Sequence, residues 1–269
     1  MLLACYALLV ATPLLPGIPP QVGSILATVV FAALSMALIL SLARLRTAAW
    51  HELASLVVLA GCWRLLMQFA AAHETVRLYV GPAVGIAFML ACVCAGKLLS
   101  RIIRDRNILV PVCVVAMIAD FYTVFAGPTG KALEQTPKLV QALSVAIPQV
   151  GSATGPAGAR GLAHAATMGL GDIIFIAMFF SAAARFGFRL RRAYLGILIP
   201  TLVAIVAVLT VWWLPALPLL PFIAGGFLVA SAREFHFSAE EKRNLKWVGL
   251  ILLVATAILV LFWLRSAHS

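Results

Sequence analysis

The sequence predicts an all-α polytopic membrane protein of about nine transmembrane helices, and three observations lead to that fold class. Of the 269 residues, 64% are apolar and 11% charged, and the mean hydropathy of +1.08 lies outside the range of soluble globular domains. Apolar windows of about 19 residues recur along the whole chain. The 20 Lys and Arg fall almost entirely between those windows rather than along one amphipathic face. The net charge of +11 therefore points to anionic membrane lipid as partner and away from nucleic acid.

Taken in order, the candidate spans lie near 2–16, 22–43, 50–72, 77–98, 107–127, 165–185, 192–213, 214–232 and 247–264. The first is the shortest, at about 22 Å, because Pro13, Pro16, Pro19 and Pro20 end it early. It lacks the basic start of a signal peptide and is kept as a span. Counting Lys and Arg in alternate connections gives 14 on one side and 5 on the other. The richer side is cytoplasmic, which places the amino terminus inside and the long 128–164 connection outside. Within that connection, 151–161 is Gly-rich, and Leu139 to Ile147 suit a short strand or an interfacial helix. Ser238 followed by Glu241 reads as a capping box for the last helix. The chain divides into an amino-terminal four-helix part (1–106), a core with its outer loop (107–232), and a last connection and helix (233–269). Short loops and the lack of a retention signal favour a prokaryotic plasma membrane.

The chemistry is sought among the nine acidic residues. Seven of them, Glu52 included, fall at helix ends or in loops; Asp120 and Asp172 fall inside apolar spans. A carboxylate at the bilayer centre costs about 2.5 to 3.5 kcal/mol, so such residues face a polar cavity and are functional candidates. Each lies seven residues from the outer end of its expected span, about 10 Å deep, on consecutive antiparallel helices. Two carboxyl groups at that spacing share one proton and titrate in coupled steps, as in the aspartic proteases. The alternative role for a buried Asp is to cap or hydrogen-bond a neighbouring helix. Gly169 and Gly171, flanking Leu170 just before Asp172, permit close backbone approach. Pro215, Pro218 and Pro221, three apart, free carbonyls of their hydrogen bonds, which suits backbone lining a wet cavity.

Three ordered motifs, Ala119-Asp120-Phe121-Tyr122-Thr123-Val124-Phe125, Gly169-Leu170-Gly171-Asp172-Ile173 and Pro215-Ala216-Leu217 with Pro221, resemble those of the signal peptide peptidase and presenilin family. The GLGDI form and the outward loop are closer to the signal peptide peptidase branch and its microbial relatives. The resemblance covers about residues 107–232. It implies a presenilin-like fold and an intramembrane aspartic endopeptidase acting on transmembrane segments or signal peptides without a metal or other cofactor. Asp120 and Asp172 are then the catalytic pair, Gly169, Leu170 and Gly171 shape the site, and Pro215, Ala216 and Leu217 hold substrate. Three departures stand out. Family members usually carry Tyr where Ala119 stands, and the signal peptide peptidase branch usually carries Gln where Leu214 stands. There is also one helix fewer before the first aspartate and one more after Pro-Ala-Leu than in the family plan.

Competing chemistries fit less well. His51-Glu52 and His73-Glu74 begin zinc-protease patterns, but Ser55 and Arg77 occupy the second ligand positions. No His falls well inside a span to activate a serine. The five cysteines sit in apolar stretches and read as small hydrophobes. Outside enzymology, paired intramembrane carboxylates suit a proton-coupled transporter, although no inverted repeat is found. A binder of membrane segments with weak or no cleavage is a third reading, drawn from Ala119. Arg64, in the third span, is expected to pair with Glu52 or to snorkel. A transmembrane substrate must unwind before water reaches its peptide bonds, and its freed backbone then needs partners. Leu143 to Ile147 and the carbonyls near Pro215 are expected to supply them by strand addition. Replacing Pro215 by Ala should therefore slow cleavage of a labelled transmembrane peptide while leaving the thermal unfolding of the protein unchanged.

Overall fold

The computed structural model describes residues 1–12, 20–72, 77–125, 144–148, 164–210 and 218–238, together with 240 and 243. The described chain is mostly helical. Its elements are α1 (Leu2–Ala11), α2 (Pro20–Ala43), α3 (Ala49–Ala72), α4 (Arg77–Ile102), a 3-10 turn (Arg106–Ile108) and α5 (Leu109–Phe125). A hairpin of β1 (Ser144–Pro148) and β2 (His164–Gly169) follows, then α6 (Leu170–Phe186), α7 (Leu190–Thr210), α8 (Leu220–Ser231) and a final 3-10 turn (Ala232–Glu234).

Among the described residues five helices are long and apolar enough to cross a membrane: α2, α3, α4, α5 with its preceding turn, and α7. That is fewer than the nine expected from hydropathy, for identifiable reasons. Helix α1 has 10 residues and reaches only about 15 Å, half the thickness of a hydrocarbon core. The sixth expected span begins five residues late, because His164–Gly169 pair with Ser144–Pro148 instead of continuing the helix. The eighth is a 12-residue helix starting at Leu220, with Pro221 in its first turn, where a missing N–H costs nothing. The ninth lies outside the described residues, as does the capping box at Glu241. The hairpin is a small addition to a mostly helical fold; Ser144–Pro148 takes the strand alternative of the two considered for that segment.

Helix α6 is the hub. An unbroken run from Ile176 to Ala183 is buried, apolar but for Ser181, so this helix is enclosed by its neighbours on every side. It packs against α2, α4, α7 and α8, while α3 lies outside, held chiefly by α4. Gly187 ends α6 with φ +74°, the left-handed conformation that only glycine adopts without strain. Beyond it an aromatic group locks the helix ends: Phe227 stacks on Phe179 with centroids 4.9 Å apart, and Phe188 meets Phe227 and Phe235. The Tyr194 hydroxyl on α7 donates to the Ala33 carbonyl on α2 at 3.2 Å.

Two helix pairs approach so closely that they need glycine. A Cβ on Gly96 of α4 would overlap the Ile174 carbonyl of α6 and come within 2.7 Å of the Ala177 Cβ. Gly196 of α7 and Gly226 of α8 face each other; a Cβ on Gly196 would lie 2.7 Å from the Gly226 carbonyl oxygen. Pro200 adds to that contact, 3.0 Å from where a Gly226 Cβ would be, and interrupts the α7 hydrogen-bond ladder at the crossing. Small residues are what let membrane helices bring their backbones together. Gly226→Leu should therefore lower stability by about 2 to 3 kcal/mol through overpacking. Gly61→Ala on α3, whose added Cβ meets nothing, should leave it unchanged or slightly raised. Thermal unfolding in detergent compares the two.

Candidate active site

Asp120 sits on α5, five residues before its last residue Phe125. Its carboxylate reaches the start of α8. The Leu220 N–H donates to Asp120 Oδ2 at 3.0 Å. Helix N-termini leave backbone N–H groups without intrahelical partners, and Leu219, the N-cap residue of α8, has no side-chain oxygen to offer them. Asp120 supplies that oxygen from another helix. The role raised as an alternative for a buried Asp, capping a neighbouring helix, is thus realised here.

Asp172 sits in the first turn of α6, three residues after the N-cap Gly169. This differs from the expected position seven residues down a helix, since β2 occupies the chain up to Gly169. The Gly169 N–H donates to Asp172 Oδ2 at 3.2 Å, the half of a capping box that a glycine N-cap permits. Among the described residues, Asp172 Oδ1 accepts no hydrogen bond. The two carboxyl groups are close enough for their charges to interact. Helices α5 and α6 are brought to this meeting point by α8, which packs on α5 and also touches α6.

The remaining expected site residues divide. Gly169 has φ −72° and ψ 159°, ordinary extended backbone, and a Cβ there would lie 3.4 Å from Asp172 Oδ2. A Cβ on Gly171 would meet nothing within 4 Å. Neither glycine is therefore demanded by backbone conformation or by a packed neighbour, which differs from the close approach expected of them. What they leave is space beside Asp172. The Leu170 side chain is 40% exposed, turned outward from the core. Pro215, Ala216, Leu217 and Leu214 lie outside the described residues; Pro218, just after them, is buried and leads to the N–H group that holds Asp120. Ala119 is exposed and Tyr122 is 46% exposed, so neither is enclosed with the carboxylates.

The hairpin joins the site from outside. Ser144 pairs with Gly169 and Val145 with Met168, so β1 runs beside the residues that lead into Asp172. Val145 is buried against α4 near Gly85, where an added Cβ would sit 3.3 Å from its Cγ1. Among the described residues no third strand joins this sheet, and each strand has one unpaired edge.

Sequence reading missed a second polar assembly at the opposite, basic end of the bundle. Glu52, assigned to a helix end, is buried and bonds Lys97 at 3.2 Å and Arg101 at 2.7 Å. The Thr47 hydroxyl donates to Glu52 Oε1 at 2.6 Å and accepts from Lys97 Nζ at 2.9 Å. Arg64 is exposed and is not the partner of Glu52. The only sequence signal was a Glu in the first turn of a span with a basic residue, Arg101, in the last turn of the next.

No protein-family model, curated protein or solved structure matches this chain. The capping geometry makes its own prediction. Asp120→Asn keeps an oxygen to accept the Leu220 N–H and should leave thermal stability within about 1 kcal/mol of wild type. Asp120→Leu strands the Leu220 N–H and should cost about 1 to 3 kcal/mol, read as a lowered unfolding temperature in detergent.

Proposed function

We propose that this protein is an intramembrane aspartyl protease that hydrolyses peptide bonds within transmembrane segments or signal peptides. The observation that carries the reading is that Asp120 and Asp172, the two acidic residues that interrupt apolar stretches, are each held by a backbone N–H at a helix start, on helices that α8 packs against, near enough for their charges to interact. Like charges in a low-dielectric setting cannot both ionise cheaply, so the pair holds one proton between them. The ionised member takes a proton from water, whose oxygen attacks the scissile carbonyl carbon. The neutral member donates a hydrogen bond to the carbonyl oxygen as negative charge develops there. Collapse of the tetrahedral adduct breaks the C–N bond, and the leaving nitrogen receives the proton taken from water.

Three features support the pairing of this chemistry with a membrane-embedded substrate. Backbone N–H donors fix both carboxylates, so little reorganisation accompanies reaction. Among the described residues, nothing lies within 4 Å of where a Gly171 Cβ would be, which leaves open space next in sequence to Asp172 for an extended chain. The unpaired edges of β1 and β2 offer main-chain groups to a substrate that has unwound, and β2 leads straight to Asp172. The microbial signal peptide peptidase branch is the family whose motifs this arrangement fits.

Purified protein in vesicles should cut a labelled transmembrane peptide, with cleavage reduced at least about 1000-fold in Asp120→Asn and in Asp172→Asn separately. Gly171→Ala should slow cleavage about tenfold with unchanged unfolding temperature, because the added methyl occupies substrate space and nothing else. Proton-linked flux without fragments would instead identify a transporter, and stoichiometric peptide capture without fragments a binder of membrane segments.

A further inference from the structure

At the basic end of the bundle, opposite the aspartates, lies a cavity of about 660 Å³ between the C-terminal ends of α2, α4 and α6 and the first residue of α7. Five cationic side chains line it, Arg44, Arg46, Lys97, Arg101 and Arg185, against one carboxylate, Glu52. The three helix C-termini contribute roughly half a negative charge each, so the cavity still carries an excess of about two and a half positive charges. Lys97 and Arg101 are engaged by Glu52, and Arg185 donates to the Ile103 carbonyl. Arg44 and Arg46 are exposed at the rim and form no ion pair among the described residues.

A second observation points to a ligand. Ser181, on the buried face of α6, lines the same cavity; the residue is 7% exposed and, among the described residues, its hydroxyl has no hydrogen-bond partner. A buried hydroxyl with an unused donor is costly, and Ser in a helix ordinarily satisfies itself on the carbonyl one turn back. An acceptor arriving in the cavity would resolve both the charge excess and this orphaned donor. The space is far larger than a bare ion needs, and planar guanidinium groups match the oxygens of a phosphate two at a time. The helix ends here lie where lipid headgroups sit when the apolar spans cross a bilayer.

We infer that this cavity is a phosphate-binding site, with Arg44 and Arg46 recruiting the anion and Ser181 donating to it from the floor. An anionic phospholipid headgroup and free inorganic phosphate share that chemistry. Neither involves Asp120 or Asp172, so the inference stands apart from the protease reading.

The test uses the delipidated full chain in neutral detergent, with bound lipid read by native mass spectrometry and stability by thermal unfolding. Phosphatidylglycerol, phosphatidylcholine, sodium phosphate and sodium chloride at matched ionic strength are compared. Stabilisation by phosphate above that by chloride places the site on the phosphate group alone. Stabilisation and retention with phosphatidylglycerol only, well above phosphatidylcholine, places it on the lipid headgroup. In either case the exposed double variant Arg44→Gln/Arg46→Gln should bind about tenfold more weakly, and Ser181→Ala a few-fold more weakly. Asp120→Asn should bind as wild type does. Equal effects of phosphate and chloride together with equal retention of the two lipids, or undiminished binding by the double variant, would overturn the inference.

Discussion

The bond from the Leu220 N–H to Asp120 is the constraint on which the rest of the site depends. It spans 100 residues of sequence and ties the outer part of α5 to the first turn of α8. Without it, the α8 N-terminus would hold an N–H donor with no protein partner in a largely apolar setting. With it, α8 is fixed against α5 while its other face lies on α7 through Gly226 and Gly196. The carboxylate that chemistry would use is therefore also a structural cap. The two roles are compatible because an N–H donor holds a carboxylate oxygen in place without consuming the whole group; a carboxylate has about four lone-pair sites.

The same logic governs Asp172. A glycine N-cap cannot cap its own helix with a side chain, so the residue three positions on bonds back to it. This turns the first turn of α6 into a rigid mount, with Oδ2 committed and, among the described residues, Oδ1 left over. Two helix N-termini thus converge with a carboxylate at each, and the partial positive charge of both termini moderates the repulsion between them.

Much of this was legible in the sequence, and the limits have physical causes. Asp120 and Asp172 stood out because a carboxylate in an apolar run is expensive wherever it points. The long helices α2, α3, α4 and α7 were visible as unbroken hydropathy. The start of α6 was not, since His164–Gly169 is a short apolar run that suits strand or helix equally, and pairing with distant Ser144–Pro148 decides it. The capping of α8 was hidden because it depends on main-chain N–H groups, which every sequence possesses. Glu52 was assigned to a helix end on position alone; its partner Arg101 lies 49 residues away and its burial arises only when α3 packs on α4. The glycines beside Asp172 were singled out, but for close packing; among the described residues nothing meets an added Gly171 Cβ within 4 Å.

Helix α6 explains how one short segment can serve two polar regions in an otherwise apolar bundle. Asp172 is in its first turn and Ser181 nine residues on, about 14 Å along the axis and facing the basic cavity. Between them Ile173, Ile176, Ala177 and Phe179 are fully buried, and Gly96 of α4 lies against its backbone at Ile174. A helix enclosed this tightly has few ways to bend, because close-packed surroundings resist even a methylene's displacement. Polar chemistry at its two ends is thereby held at a fixed separation. Placing charged machinery only at the helix termini, and none along the enclosed middle, lets backbone donors and acceptors at those ends satisfy the polar groups while the apolar middle supplies the packing that positions them.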